Sequence, residues 1–134
     1  MRALKIALPL LLVSGCATTG PSQSHLQFQA REAARLEVAL SGFTPGKAVS
    51  CLPNRDIRGP EAYGDNVLLF RAGRNLVYRN DTQGSCSGVS HGEAIIIRQF
   101  QSRLCRGDIA RTADMLTGME SSTCVFGDFV PYRR

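Results

Sequence analysis

The chain contains no tryptophan, only two histidines, His25 and His91, and a single lysine, Lys47, after its first five residues. It has no Cys-x-x-Cys pair, which removes the basis for thioredoxin-like redox chemistry. The four later cysteines lie 35, 19 and 19 residues apart, without the close pairs of a structural zinc site. No glycine-rich phosphate loop with its lysine occurs. No apolar run approaches the roughly 20 residues that span a bilayer. Charge of one sign is also scarce. Beyond residue 15 there are 14 basic and 11 acidic residues, a net +3, well short of a nucleic-acid-binding footprint.

Arg2 and Lys5 precede the apolar run "IALPLLLV" (6–13), the charge-then-apolar layout of a secretory signal peptide. The run ends in "VSGC", and no A-x-A cleavage site follows, so an ordinary signal peptide with an incidental cysteine is the weaker reading. The "VSGC" stretch resembles the lipobox of bacterial lipoproteins. That resemblance implies cleavage before Cys16 and a diacylglyceryl thioether on its sulfur, with acylation of the new amine. Several acyl chains make a durable anchor, since each buried methylene contributes about 0.8 kcal/mol. Ala17, rather than aspartate, in the second mature position implies sorting to the outer membrane. The expected organisation is a leader at 1–15, a lipidated tether at 16–23 ("CATTGPSQ"), a helix at 24–42 and a β domain at 46–134.

The helix is expected from "SHLQFQAREAARLEVALSG", with a capping box at Ser24 and Gln27 and a stop at Ser41 and Gly42. Leu26, Ala30, Ala33, Leu36, Val38 and Leu40 fall on one side. Further on, "NVLLFR" and "NLVYR" form the clearest hairpin, turning near Ala72, Gly73 and Arg74. "QGSCSGVSHGE" reads as a polar loop and "AIIIRQF" as a central strand, rich in β-branched residues. "DIARTADML" and "CVFGDFVPY" add two strands around "TGMESS". These signals predict a mainly β fold, a small disulfide-bridged barrel or sandwich of about six strands, with one N-terminal α-helix. Phe70, Tyr78, Phe100, Phe126, Phe129 and Tyr132 are expected to pack rather than to form a binding platform.

With Cys16 assigned to lipid, Cys51, Cys86, Cys105 and Cys124 make an even set in an exported chain, and three connectivities are open. The working expectation is nested: Cys51–Cys124 closing the long loop and Cys86–Cys105 bracketing "AIIIRQF". Catalytic candidates are few. Ser90, His91 and Glu93 carry the letters of a triad, but sequence neighbours seldom reach its geometry. Asp108 and Asp128 each follow a glycine and invite a carboxylate pair, against the commoner role of aspartate in turns. "RGD" (106–108) invites an adhesion reading beside a disulfide. Arg55, Arg58, Arg71, Arg74 and Arg79 are a possible anion-binding group; arginine suits bidentate capture of phosphate or carboxylate, although a GC-rich genome also enriches it.

The stretch "SCLPNRDIRGPEAYGDNVLLFRAGRNLVYRND", with "GSCSG", "RLCRGDI" and "CVFGDFVPY", resembles a family of small exported proteins of unknown function from Proteobacteria, especially Sphingomonas-type alphaproteobacteria. The resemblance covers residues 46–132 and implies an exported, disulfide-bridged domain without an established activity. The expected function is a non-enzymatic outer-membrane lipoprotein whose periplasm-facing domain makes protein or envelope contacts, with neither cofactor nor metal nor nucleic-acid partner. One alternative is an inhibitor of a hydrolase such as lysozyme, which the +3 charge disfavours. The other is a binder of a polyanion such as lipopolysaccharide.

Overall fold

The computed structural model describes residues 20–53, 57–99 and 101–134. The leader, Cys16 and the rest of the tether up to residue 19, Arg55 and Phe100 lie outside the described residues. A helix, α1 (Gln23–Ala39), is followed by β1 (Thr44–Pro45), β2 (Arg58–Tyr63), β3 (Val67–Arg71), β4 (Leu76–Asp81) and β5 (Gln83–Gly84). A single turn, α2 (Ser87–Ser90), then leads to β6 (Ala94–Arg98), β7 (Ile109–Ala113), β8 (Glu120–Val125) and β9 (Phe129–Arg133). The strands form two antiparallel sheets, ordered β1-β9-β4-β3-β2 and β5-β8-β7-β6. They pack face to face and do not close into a barrel, so of the two expected architectures this is the sandwich.

Alternation along the strands explains the layers. In "VLLF", Leu68 and Phe70 point between the sheets, while Val67 and Leu69 point out beneath α1. The hairpin partner repeats this, with Tyr78 inward and Val77 outward. Both faces of β3 and β4 are therefore covered, which is why their sequences read as continuous apolar runs. Between the sheets, Phe70, Phe126 and Phe129 meet with ring centroids 5.8–6.1 Å apart. Outside, Leu36, Ala39, Leu40 and Phe43 cover Tyr63, Leu69 and Val77.

Two chain crossings join the sheets, after β4 and after β8, and one side chain fastens them together. Fully buried Asn80 donates from Nδ2 to the Gly127 carbonyl at 2.8 Å, and its Oδ1 accepts the Gly127 N–H at 3.1 Å. A Cβ on Gly127 would run into the Asp81 carbonyl, so only glycine permits this approach.

Several expectations need correction. The helix is capped by Ser22, whose hydroxyl accepts the His25 N–H, two residues before the expected cap. Among the described residues nine strands stand against the expected six or so, and β1 and β5 are two-residue pairings too short to show a pattern. The stretch "CVFGDFVPY" is not one strand: it ends β8 and begins β9, changing sheets at 126–128. Among the described residues β6 is an edge strand rather than a central one, pairing with β7. Its isoleucines report strand propensity and one packed face, neither of which requires two paired edges. Ile95 and Ile97 pack on the core while Ile96 is 49% exposed.

The disulfide pairing also differs. The bridges are Cys51–Cys105 and Cys86–Cys124, crossed rather than nested. Leu52 donates to the Leu104 carbonyl and Arg106 to that of Ser50, laying 50–52 along 104–106, so that Cys51 faces Cys105. β5 pairs with the end of β8, matching Gly84 to Cys124 and bringing Cys86 beside it. Sheet pairing, invisible in the spacing, selects the partners.

Candidate functional site

A hollow opens where the sandwich gapes, between the outermost strands β2 and β6. It measures about 460 Å³ and is lined by Leu52, Ile57, Pro60, Phe70, Ile95 and Ile97, with Gln99, Ser102 and Arg103 among its polar lining residues. The other sheet edges are the short β1 and β5, and β2 is broken by Pro60 and a register shift. Such devices blunt an edge. β6 has neither: its pairing with β7 is continuous over five residues, and among the described residues no strand occupies its other edge. An extended segment there would find unpaired main-chain groups beside an apolar cleft.

The catalytic candidates do not assemble. Ser90 donates to the Ser87 carbonyl at 2.7 Å, and the Glu93 carboxylate accepts from Ser121. His91 stacks on Phe28, with centroids 6.4 Å apart. Asp108 and Asp128 have separate partners. Buried Asp108 accepts the Cys105 N–H at 2.8 Å, whereas Asp128 pairs with Arg106 at 3.3 Å. The Arg-Gly-Asp triplet thus turns its carboxylate inward. It meets the second Gly-Asp stretch directly: Gly107 donates to the Phe126 carbonyl and Phe126 to that of Asp108.

Of the five candidate arginines, Arg55 lies outside the described residues. Arg58 and Arg71 are register partners on β2 and β3, and with Arg74 they line a hollow of about 510 Å³ at the β3–β4 turn. Arg71 is engaged by Glu61, Nε to Oε1 at 2.7 Å, and Arg79 by Asp81 at 2.8 Å. The Arg71 hydrogen bond, opposed by partial burial, holds the Glu61 carboxyl below its ordinary range. The group therefore divides, with Arg58 and Arg74 bordering the hollow and Arg79 held apart by Asp81.

Sequence reading missed a convergence. Both histidines enter one hollow with Asp65, Ser22, Ser24 and Phe28, where α1 begins beside α2. His25 Nε2 lies 3.9 Å from Asp65 Oδ2, which accepts a hydrogen bond from Gln29 at 2.7 Å. Among the described residues no group of three metal-binding side chains gathers. The only sequence signal for this convergence was the rarity of histidine.

Residues 1–125 match the family of unknown function DUF6491. The chain belongs to this family. No curated protein and no solved structure matches it. DUF6491 membership agrees with the uncharacterised family expected from the sequence and carries no activity with it, so a function has to be argued from this geometry.

Proposed function

We propose that this DUF6491 chain is a non-enzymatic lipoprotein, anchored in the outer membrane through Cys16, whose periplasm-facing sandwich binds an extended segment of an envelope protein. The observation that carries the reading is the open edge of β6 beside the apolar cleft. A bound segment would add a strand to β6 through main-chain hydrogen bonds, and alternate side chains would enter the cleft against Ile95, Ile97 and Phe70. The separate engagement of Ser90, Glu93, Asp108 and Asp128 favours binding over catalysis.

Two measurements test this proposal. Intact mass and membrane fractionation of the wild type and Cys16→Ser read the anchor, which the substitution should abolish. Photocrosslinkers at Gln99 or Ser102 in intact envelopes should give a discrete adduct that Ile96→Pro, which alters the β6 edge, removes, provided thermal melting shows that the variant folds. Equal labelling from a probe at Val38, on α1, would reject the cleft.

The arginine hollow favours a second reading, a polyanion site at Arg58 and Arg74. Binding of lipopolysaccharide should then weaken steeply with salt and fall in the double glutamate variant. Salt-independent binding would reject it.

A further inference from the structure

The β7–β8 connection exposes Met115 (76%), Leu116 (96%) and Met119 (70%), the densest group of large exposed apolar side chains among the described residues. They are held on a fixed turn. Asp114 Oδ1 accepts the N–H groups of Leu116 and Thr117 at 2.9 and 2.7 Å, as well as the Thr117 hydroxyl. The Asp114 N–H donates to the Met119 carbonyl, and the Gly118 N–H to that of Asp114. The turn thus displays apolar groups with little freedom to fold them away.

Its position supplies the occupant. Phe28, in the second turn of α1, stacks on His91, which caps α2. α2 lies on the second sheet at Gly88, where a Cβ would overlap Thr112, and Thr112 is two residues from Asp114. The start of α1, α2 and the Met115–Leu116–Met119 tip therefore share one end of the sandwich. The β3–β4 turn, with Arg58 and Arg74, lies at the other end. Only six residue steps separate Cys16 from the Ser22 cap, a reach of about 20 Å at full extension.

We infer that the β7–β8 tip is a second membrane contact, inserting Met115, Leu116 and Met119 into the leaflet that holds the Cys16 lipid. This rests on the lipoprotein reading above. The lipid supplies retention, the tip fixes orientation, and the arginine hollow then faces away from the membrane.

The test uses the full lipidated chain in vesicles of phosphatidylethanolamine, phosphatidylglycerol and cardiolipin. With Cys16 acylated and the other four cysteines bridged, Leu116→Cys offers the one thiol for an environment-sensitive fluorophore, and Val38→Cys offers the same on α1. The expected result is a blue-shifted emission at Leu116 that spin-labelled acyl chains quench several-fold more than at Val38. Equal, water-like emission at both sites, in protein whose acylated Cys16 is verified by intact mass, overturns the inference and leaves the anchor standing. A blue shift that lipid spin labels do not quench indicates a protein contact and also overturns it. An unacylated Cys16 overturns the anchor, and the inference with it.

Discussion

At the scale of single residues, buried polar groups do most to specify this fold. Replacing Asn80 by alanine would strand the half-buried Gly127 N–H and its carbonyl at the point where both sheet crossings meet. We expect a loss of about 2–3 kcal/mol in denaturant unfolding, since each unsatisfied buried group costs about 1–3 kcal/mol. Glu32 is a buried carboxylate on the helix. It pairs with Arg35 at 2.7 Å and accepts the Gly64 N–H at 3.2 Å. Burial raises its pKa, but the Arg35 and Gly64 hydrogen bonds, with the charges of Arg35 and Arg31, outweigh that and hold it below the ordinary 4.5. A carboxyl depressed in the folded state stabilises fully above its unfolded pKa and loses that contribution as pH falls through the folded one. Melting temperature should therefore drop on acidification below about pH 4.5, and Glu32→Gln should flatten that acid limb. An acid limb that is unchanged in the variant would remove Glu32 from the account. None of this was legible in the sequence, which carries no local signal that either side chain is buried.

Elements were recognised more readily than their surroundings. The helix, found at Gln23–Ala39 against an expected 24–42, and the β3–β4 hairpin form in the stretches that predict them, because helix formers and apolar, aromatic strand runs act locally. The packed face of α1 is another matter. Of the six residues on its expected apolar side, Leu36 and Leu40 pack on the sheet, whereas Leu26 is 48% and Val38 77% exposed. The docking face instead runs through Phe28, Gln29, Glu32 and Leu36, mixing polar and apolar groups, so an apolar stripe was the wrong guide. Leu36→Ala should lower stability by about 1–2 kcal/mol, part of the cost of a fully buried leucine, and Val38→Ala by less than about 0.5. Equal effects in thermal melts would show that α1 does not dock as described. β6 teaches the same lesson, since its isoleucines identify a strand and do not say whether a neighbour covers its edge.

For the whole molecule, the two crossed disulfides decide how firmly the sheets are held. Cys51–Cys105 spans 54 residues and Cys86–Cys124 spans 38, loops for which the chain-entropy argument gives about 4 kcal/mol for one bridge formed alone. Paired alanine substitution of either bridge should therefore destabilise by about 2–5 kcal/mol. Non-reducing peptide mapping should recover those two pairs. The candidate site follows similar logic: its arginines and isoleucines were visible one by one, while the cleft between β2 and β6 exists only because the sandwich leaves that side open. By itself the sequence determined a mainly β chain with an N-terminal helix and an even set of four cysteines after residue 50, because propensity and composition are local properties. Only the tertiary structure decided which cysteines meet, which strand is left at the edge, and that His25 and His91 share a hollow. Those outcomes depend on contacts between residues far apart in the chain, and no local pattern encodes which distant partner completes them.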